Sequence, residues 1–153
     1  MEKILHLLFC IVLTSTSLAQ KSVVKNAVQP FAIGETITMA SDVLKEDRIL
    51  NVYLPQGYAE SDKKYHVIYL LDGSADEDFI HIAGLVQFGS FSWINMIPET
   101  IVVGISNIDR KRDFTFPTTN QKDKKEFPTT GGSEKFIQFL EQELQPFIAA
   151  NYK

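Results

Sequence analysis

The stretch His66-Val67-Ile68-Tyr69-Leu70-Leu71-Asp72-Gly73-Ser74 decides the fold class of this chain. It opens with a nearly unbroken apolar run, and Ile101-Val102-Val103-Gly104-Ile105 is a second run of the same kind. Strands that are apolar on both faces belong to sheets that helices cover on both sides, and such strands are usually parallel. Residues 76–88 lie between the runs and can form a helix, so the order strand, helix, strand predicts a crossover unit. The expected buried side of this helix consists of Phe79, Ile80, Ala83, Leu85 and Val86.

Two further strands are predicted before this unit. Residues 31–39 and 48–54 each alternate between apolar and polar side chains, which is typical of a strand with one buried face. The short distance between them along the chain favours an antiparallel pair. The second strand is closed by the turn residues Pro55-Gln56-Gly57-Tyr58.

The clearest helix follows Thr130-Gly131-Gly132. Ser133 is its expected N-cap, and Glu134 lies in the first turn, where the helix dipole favours an anion. Pro146 lies inside the pattern and predicts a kink or a local break. The apolar stripe consists of Phe136, Ile137, Phe139, Leu140, Leu144, Phe147 and Ile148. The complete order is strand, strand, strand, helix, strand, long loop and helix, which predicts an α/β fold.

The N-terminal residues 1–19 differ in character from the rest of the chain. Lys3 precedes an apolar run from Ile4 to Leu13, and a polar stretch then ends in a small-x-small site at Ala19. This order is typical of a secretory signal peptide, and the run is too short to span a membrane. We therefore expect an exported protein (periplasmic or secreted) without a stable membrane anchor, with one domain over residues 20–153. Cys10, the single cysteine, would leave with the signal peptide.

Charge and residue types exclude several kinds of function. A formal net charge of −4 disfavours nucleic-acid binding, which needs a basic face. No histidines and carboxylates have metal-ligand spacing and there is no glycine-rich phosphate loop, so we expect no metal and no other cofactor. Gly-x-Ser-x-Gly, the usual nucleophile motif of serine hydrolases, is absent, and residues 131–135 fail to match it at the last position. His66 and His81 are better explained as structural imidazoles than as catalytic bases.

Two segments invite a functional interpretation. The turn Asp72-Gly73-Ser74 follows a central strand, where ligands bind in open α/β sheets and where a glycine lets a backbone N–H approach a reacting oxygen. A plain Asp-Gly turn is the alternative. Residues 107–132 form a long loop that contains Asp109-Arg110-Lys111-Arg112-Asp113, for which a solvated, self-pairing charge run is the simpler interpretation. An acyl or aromatic pocket, or packing under the sheet, would explain Phe88, Phe91 and Trp93.

A series of short motifs resembles the esterase D and enterochelin-esterase branch of the α/β-hydrolases. The earlier motifs are Ile33-Gly34, Arg48-Ile49-Leu50-Asn51-Val52-Tyr53-Leu54-Pro55 with Gly57-Tyr58, and Val67-Ile68-Tyr69-Leu70-Leu71-Asp72-Gly73. The later ones are Ile101-Val102-Val103-Gly104-Ile105 with Asn107, Asp109-Arg110, Arg112-Asp113-Phe114-Thr115, Gly131-Gly132, and Glu143-Leu144-x-Pro146 with Tyr152. They occur in the family's order and at its spacing over essentially all of residues 20–153.

The resemblance implies the fold and the reaction of a serine esterase. The fold would be the N-terminal part of an α/β-hydrolase three-layer sandwich, with an antiparallel start and then parallel strands with crossover helices, truncated before the nucleophile elbow. The reaction would be hydrolysis of a small-molecule carboxylic (acyl) ester by a Ser-His-Asp/Glu triad, which we expect beyond residue 153. Ser74 would donate an oxyanion-hole N–H from a turn that Asp72 and Gly73 shape. Arg110 and Asp113 would lie at the active-site rim.

The expected truncation has a consequence for the sheet. In the implied topology the missing strand would lie beside residues 67–71, which would otherwise form an exposed apolar edge. We therefore expect this chain to self-associate or to be poorly soluble, and to lack esterase activity by itself. The alternative is a noncatalytic module in which the hydrolase-derived sheet binds a carbohydrate or a partner strand.

Overall fold

A mixed sheet forms the centre of the protein in a computed structural model, which describes residues 28–153. Its strands in this part of the chain are β1 (Glu35–Ser41), β2 (Glu46–Tyr53), β3 (His66–Leu70) and β4 (Thr100–Ile105). Their order across the sheet is β1-β2-β4-β3. The β1–β2 and β2–β4 pairs are antiparallel and the β3–β4 pair is parallel, which confirms the predicted antiparallel start and crossover unit. The expected signal peptide and Cys10 lie outside the described residues.

Helices cover both faces of this sheet. The helices of the described residues are α1 (Phe79–Gly89), α2 (Arg110–Asp113), α3 (Gln121–Glu126), α4 (Ser133–Phe139) and α5 (Gln145–Asn151). One face is covered by α1 and the other by α4 and α5, whereas α3 has no buried residue. Side chains alternate along β4, so that Val102 packs against α1, whereas Ile101 and Val103 pack against α4 and α5. The result is a three-layer α/β arrangement with a separate core on each side of the sheet, as predicted.

The buried face of α1 differs from the predicted one. The helix begins at Phe79, and its buried residues are Phe79, Ala83, Val86 and Gly89. Ile80 and Leu85 were expected in the core, but their side chains are 56% and 53% exposed. The helical period puts both residues more than a quarter turn away from the line of Phe79, Ala83 and Val86. Their apolar character alone was a misleading signal.

The first strand also differs from its predicted bounds. It begins at Glu35 instead of residue 31, because its ladder with β2 starts with the pair Glu35 and Val52. The turn between β1 and β2 is held from the C-terminal part of the chain. The Glu143 carboxylate accepts hydrogen bonds from the backbone N–H groups of Asp42 and Val43 at 2.8 and 3.0 Å.

The predicted C-terminal helix is interrupted where proline requires it. A π-helical turn, Leu140–Leu144, separates α4 from α5, and Pro146 lies in the first turn of α5. Because proline has no backbone N–H, it cannot continue the regular ladder, and the predicted local break is confirmed. The N-cap prediction was wrong by one residue: Gly132 precedes the helix, and the buried Ser133 hydroxyl has no hydrogen-bond partner among the described residues.

Residues 107–132 are more ordered than a loop. They contain α2 and α3, which are capped by side-chain oxygens of Asp109 and Asn120. Each cap accepts a backbone N–H hydrogen bond at 2.9 Å, so the polar residues of this segment stabilise helix starts. Of the helices in the described part of the chain, none has both the length and the apolar character needed to cross a membrane.

Candidate active site

The turn that follows β3 is fixed by its own backbone. Asp72 has a φ of 54°, a left-handed conformation that aspartate tolerates better than most residues. The Gly73 N–H donates to the Ile105 carbonyl at 3.0 Å, which ties the turn to the end of β4. The Gly73 carbonyl accepts a buried hydrogen bond from the Asn51 side chain at 2.9 Å. Both backbone groups of Gly73 are thus occupied, and the turn is held against two strands.

Two glycines allow this close contact. A Cβ on Gly73 would lie 2.4 Å from the Gly104 Cα. A Cβ on Gly104 would lie 2.5 Å from the Gly73 carbonyl oxygen and 2.6 Å from a ring carbon of Phe79. Such distances exclude any side chain at either position without movement of the backbone. The turn therefore packs directly on β4, and the first residue of α1 packs beside it.

The Asp72 carboxylate binds two side chains from the segment after β4. It accepts hydrogen bonds from Arg110 Nε at 2.9 Å, from Arg110 Nη2 at 3.2 Å and from Asn107 Nδ2 at 2.6 Å. The hydrogen bonds of Arg110 and then of Asn107 hold the pKa of Asp72 below its ordinary value. The Arg110 side chain is 59% exposed, so this pair lies at the surface beside the turn. Asp72, Gly73 and Arg110 are therefore neighbours at the carboxyl end of the parallel strands.

The Ser74 backbone has a free donor. No residue in the described part of the chain accepts a hydrogen bond from its N–H. Its carbonyl accepts from the N–H groups of Glu77 and Phe79, at 3.1 and 3.4 Å, which orients the residue at the start of α1. A free N–H on a fixed backbone, at the edge where α/β sheets bind ligands, is the arrangement that stabilises a developing oxyanion.

Asp113 does not lie at the rim of this turn. Its side chain is 2% exposed and pairs with Arg48 of β2 at 2.6 Å, and Arg48 is itself 1% exposed. The expectation of a rim position was wrong, because a buried guanidinium requires a buried counter-charge and Asp113 supplies it. A carboxylate in that position cannot contact a ligand at the surface.

A network around Asp113 attaches α2 to the sheet. Arg112 donates to Asp113 at 2.7 Å and forms a bidentate pair with Glu46 at 2.6 and 2.9 Å. These carboxylates, Asp113 before Glu46, raise the pKa of Arg112. The Arg48 guanidinium also lies over the rings of Phe136 and Phe139. The charge run is therefore not simply solvated. Arg112 and Asp113 pair with each other, but they also pair with Glu46 and Arg48 of β2 and so anchor the helix that carries Arg110.

Other candidates lie away from the turn. His66 is exposed at the start of β3, the opposite end of that strand, and His81 is exposed on α1. Because α1 runs away from the turn, Phe88, Phe91 and Trp93 reach the far end of the sheet. There Phe88 and Trp93 are 53% and 74% exposed, so they do not pack under the sheet, whereas Phe91 and Trp93 line a cleft at that end. Among residues 28–153, no group of three or more His, Cys, Asp or Glu side chains is placed to hold a metal.

The sequence alone did not predict a role for Asn51, Gly104 or Arg48, although each is unusual for its position in a strand. Arg48 and Asn51 are polar residues in a strand whose other members are largely apolar, and both are buried. Gly104 interrupts a run of branched aliphatic residues, which often marks a close approach of another backbone. These signals indicate a contact but do not identify the partner.

The sheet order, the crossover helix and the turn with a free donor define an α/β scaffold of the hydrolase type. Over residues 41–153 the chain matches the model of the family described as "Putative esterase". The match covers more than half of the sequence, and the chain belongs to this esterase family. The predicted resemblance is confirmed.

Individual relatives agree with the family match. The ferri-bacillibactin esterase BesA of Bacillus subtilis (strain 168) is 35% identical in an alignment of length 100, and the match covers 58% of this chain and 35% of the relative. An IroE-like serine hydrolase from Shewanella oneidensis is 37% identical, with a TM-score of 0.68 over 78% of this chain and 39% of that one. The BES protein from Bacillus cereus is 27% identical, with a TM-score of 0.66 over 86% of this chain and 51% of that one. This chain thus spans between 35% and 51% of the length of these relatives.

Proposed function

We propose that this chain is the N-terminal part of an exported serine esterase that hydrolyses a carboxylic ester, and that it supplies one oxyanion donor of the active site. The observation that carries the proposal is the free Ser74 N–H on a turn held by Gly73. Membership of the esterase family gives the class of reaction.

The geometry of the turn suits this role. Attack on an ester carbonyl puts negative charge on the carbonyl oxygen, and a donor that is already in position stabilises this charge without reorganisation. The Gly73 carbonyl accepts a hydrogen bond from the Asn51 side chain, and the Gly73 N–H donates to the Ile105 carbonyl. These two hydrogen bonds fix the backbone that leads directly into Ser74. The Ser74 N–H would therefore lie in a fixed direction before the substrate arrives.

The nucleophile, its base and the acid would come from protein sequence that continues after Lys153. The absence of Gly-x-Ser-x-Gly from the sequence supports this part of the proposal. The exposure of His66 and His81 supports it as well, because neither is paired with a carboxylate in the described part of the chain.

For the substrate, we propose a siderophore ester of the kind named in a relative, ferri-bacillibactin. For the location, we propose export, supported by the signal-like pattern of residues 1–19. N-terminal sequencing of the protein from a periplasmic or secreted fraction tests export. If the signal peptide is cleaved after Ala19, the chain should begin at Gln20. A chain that still begins at Met1 would contradict it.

We also propose that β3 makes the isolated 153-residue chain self-associate. Within residues 28–153, β3 pairs only with β4, and its other backbone edge has no partner strand. Ile68 on this strand is 37% exposed, and the strand has no charged side chain that would discourage pairing. Ile68→Lys should lower the apparent mass measured by light scattering, and Ile80→Lys on the exposed face of α1 is the matched control. A monomeric parent chain would contradict the proposal.

Hydrolysis of p-nitrophenyl acetate tests the function. The 153-residue chain should show no turnover above a heat-denatured sample, whereas the product of the extended reading frame should turn over the ester. Turnover by the short chain would contradict the missing triad. A soluble, folded long product that hydrolyses neither this ester nor ferri-bacillibactin would contradict the esterase proposal itself.

A further inference from the structure

A cleft lies at the end of the sheet opposite to the Asp72–Ser74 turn. Its volume is about 310 Å³, at the lower end of the range of roughly 300–1,000 Å³ for small-molecule sites. Its walls come from the end of β2, the end of α1 and the segment that leads into β4. Tyr53, Gln56, Gln87, Trp93 and Glu99 supply the side chains on which the argument rests.

The aromatic wall of this cleft is held in a fixed orientation. The Trp93 ring stacks on Phe91 with 4.5 Å between centroids and 18° between planes. Phe88 packs edge-on against the same Phe91 ring at 6.1 Å. The Trp93 side chain is nevertheless 74% exposed, so much of its surface is open to solvent. A large apolar ring that is supported but uncovered is suited to receive the flat face of a ligand.

Apart from Pro55, the rest of the lining consists of side chains with polar groups and carries little net charge. Gln56 and Gln87 are exposed amides, each of which both donates and accepts hydrogen bonds. The Glu99 carboxylate forms an ion pair with Lys63, which offsets its charge. Burial, and then Glu99, raise the pKa of Tyr53, so its hydroxyl stays protonated as a donor. Donors and acceptors therefore surround the aromatic wall.

We propose that this cleft binds a neutral oligosaccharide. A pyranose ring has a flat C–H face that packs on an aromatic ring, and hydroxyl groups at its perimeter that need both donors and acceptors. The lining offers this combination. A membrane surface is a poorer fit, because interfacial sites place lysines and arginines around the aromatic residues. The titratable side chains in the lining are instead Tyr53 and Glu99.

The site is separate from the free edge of the sheet. The cleft uses the end of β2, and β4 lies between β2 and β3. A further strand added beside β3 would therefore not fill it. The proposal does not rest on the esterase function, since none of the cleft side chains belongs to the Asp72–Ser74 turn.

Isothermal titration calorimetry of the full 153-residue chain with cellotetraose, xylotetraose and chitotetraose tests the proposal. Trp93 is the only tryptophan in the sequence, so its fluorescence gives a second measurement at the site itself. We expect saturable binding of at least one of the three sugars together with a change in Trp93 emission. Trp93→Ala and Gln87→Ala should each weaken binding by about tenfold or more. Phe116→Ala, which removes another exposed aromatic ring outside the cleft, is the matched control and should leave the affinity unchanged.

Three outcomes would overturn the proposal. The first is the absence of saturable binding by all three sugars. The second is a sugar affinity that survives Trp93→Ala, measured on a variant whose circular dichroism matches the parent. The third is binding of phosphatidylcholine vesicles, lost in Trp93→Ala, without binding of any sugar, which would identify a membrane-contacting surface.

Discussion

Two arginine–aspartate pairs involve the short helix α2, and their environments are opposite. Arg48 and Asp113 are 1% and 2% exposed and lie 2.6 Å apart, whereas Arg110 and Asp72 are 59% and 29% exposed and lie 2.9 Å apart. An unpaired charge in the interior is costly, but solvent screens an exposed pair. The buried pair therefore anchors the helix, and the exposed pair presents a charged side chain beside the turn. The two pairs have similar N···O distances but different roles in the structure.

The largest expected effect comes from breaking the buried pair. Asp113→Ala would leave the Arg48 guanidinium in the core with Glu46 as its remaining carboxylate partner. We expect the free energy of unfolding to fall by about 3 kcal/mol, the lower end of the range for such losses because Glu46 remains. Urea unfolding followed by circular dichroism measures the change. Asp76→Ala, at an exposed position, is the control, and equal stability of the two variants would contradict the anchoring role of the buried pair.

The next effect concerns the backbone contact that positions the turn. Gly104→Ala would push a methyl group against the Gly73 carbonyl and the Phe79 ring, and should cost about 1–3 kcal/mol of unfolding free energy. Gly84→Ala is the matched control, because a Cβ there meets no atom within 4 Å. That change lies in α1 and should instead stabilise the protein by about 0.5–1 kcal/mol. A Gly104→Ala variant as stable as the parent would show that the turn does not depend on this contact.

The smallest effect is expected for the exposed pair. Asp72→Asn keeps a side chain that tolerates positive φ and removes only the charge. Because the folded protein lowers the pKa of Asp72, the carboxylate contributes stability above the ordinary aspartate pKa of 3.8, and this contribution is lost as the pH falls through the lowered value. Urea unfolding should therefore separate parent and variant slightly at neutral pH and not in acid. A difference that grows in acid would contradict the sign.

The sequence predicted the elements that depend on local pattern. The apolar runs of β3 and β4, the helix between them and the break at Pro146 were all recognisable, because each follows from neighbouring residues. The Asp72–Ser74 turn was recognisable from its place after a buried strand. Arg110 was assigned to its rim only through the family resemblance.

Features that depend on distant partners were not predictable in the same way. Asp113 belongs to a charge run that would be solvated in isolation, and only the approach of Arg48, 65 positions earlier, buries it. Ile80 and Leu85 are as apolar as the core residues of α1, so composition gave no means of excluding them. For Trp93 the sequence left a pocket and packing under the sheet both open, because the direction of α1 relative to the turn sets the exposure of this residue.

The most direct test of the account replaces the proposed donor in the longer esterase of which we propose that this chain is the N-terminal part. Ser74→Pro removes the backbone N–H, and Ser74→Ala keeps it while removing the hydroxyl. With thermal unfolding midpoints checked for both, we predict that Ser74→Pro lowers kcat by about 10²–10³-fold with little change in KM, and that Ser74→Ala retains the activity of the parent. A folded Ser74→Pro variant with full activity, or a Ser74→Ala variant without any, would contradict the central claim.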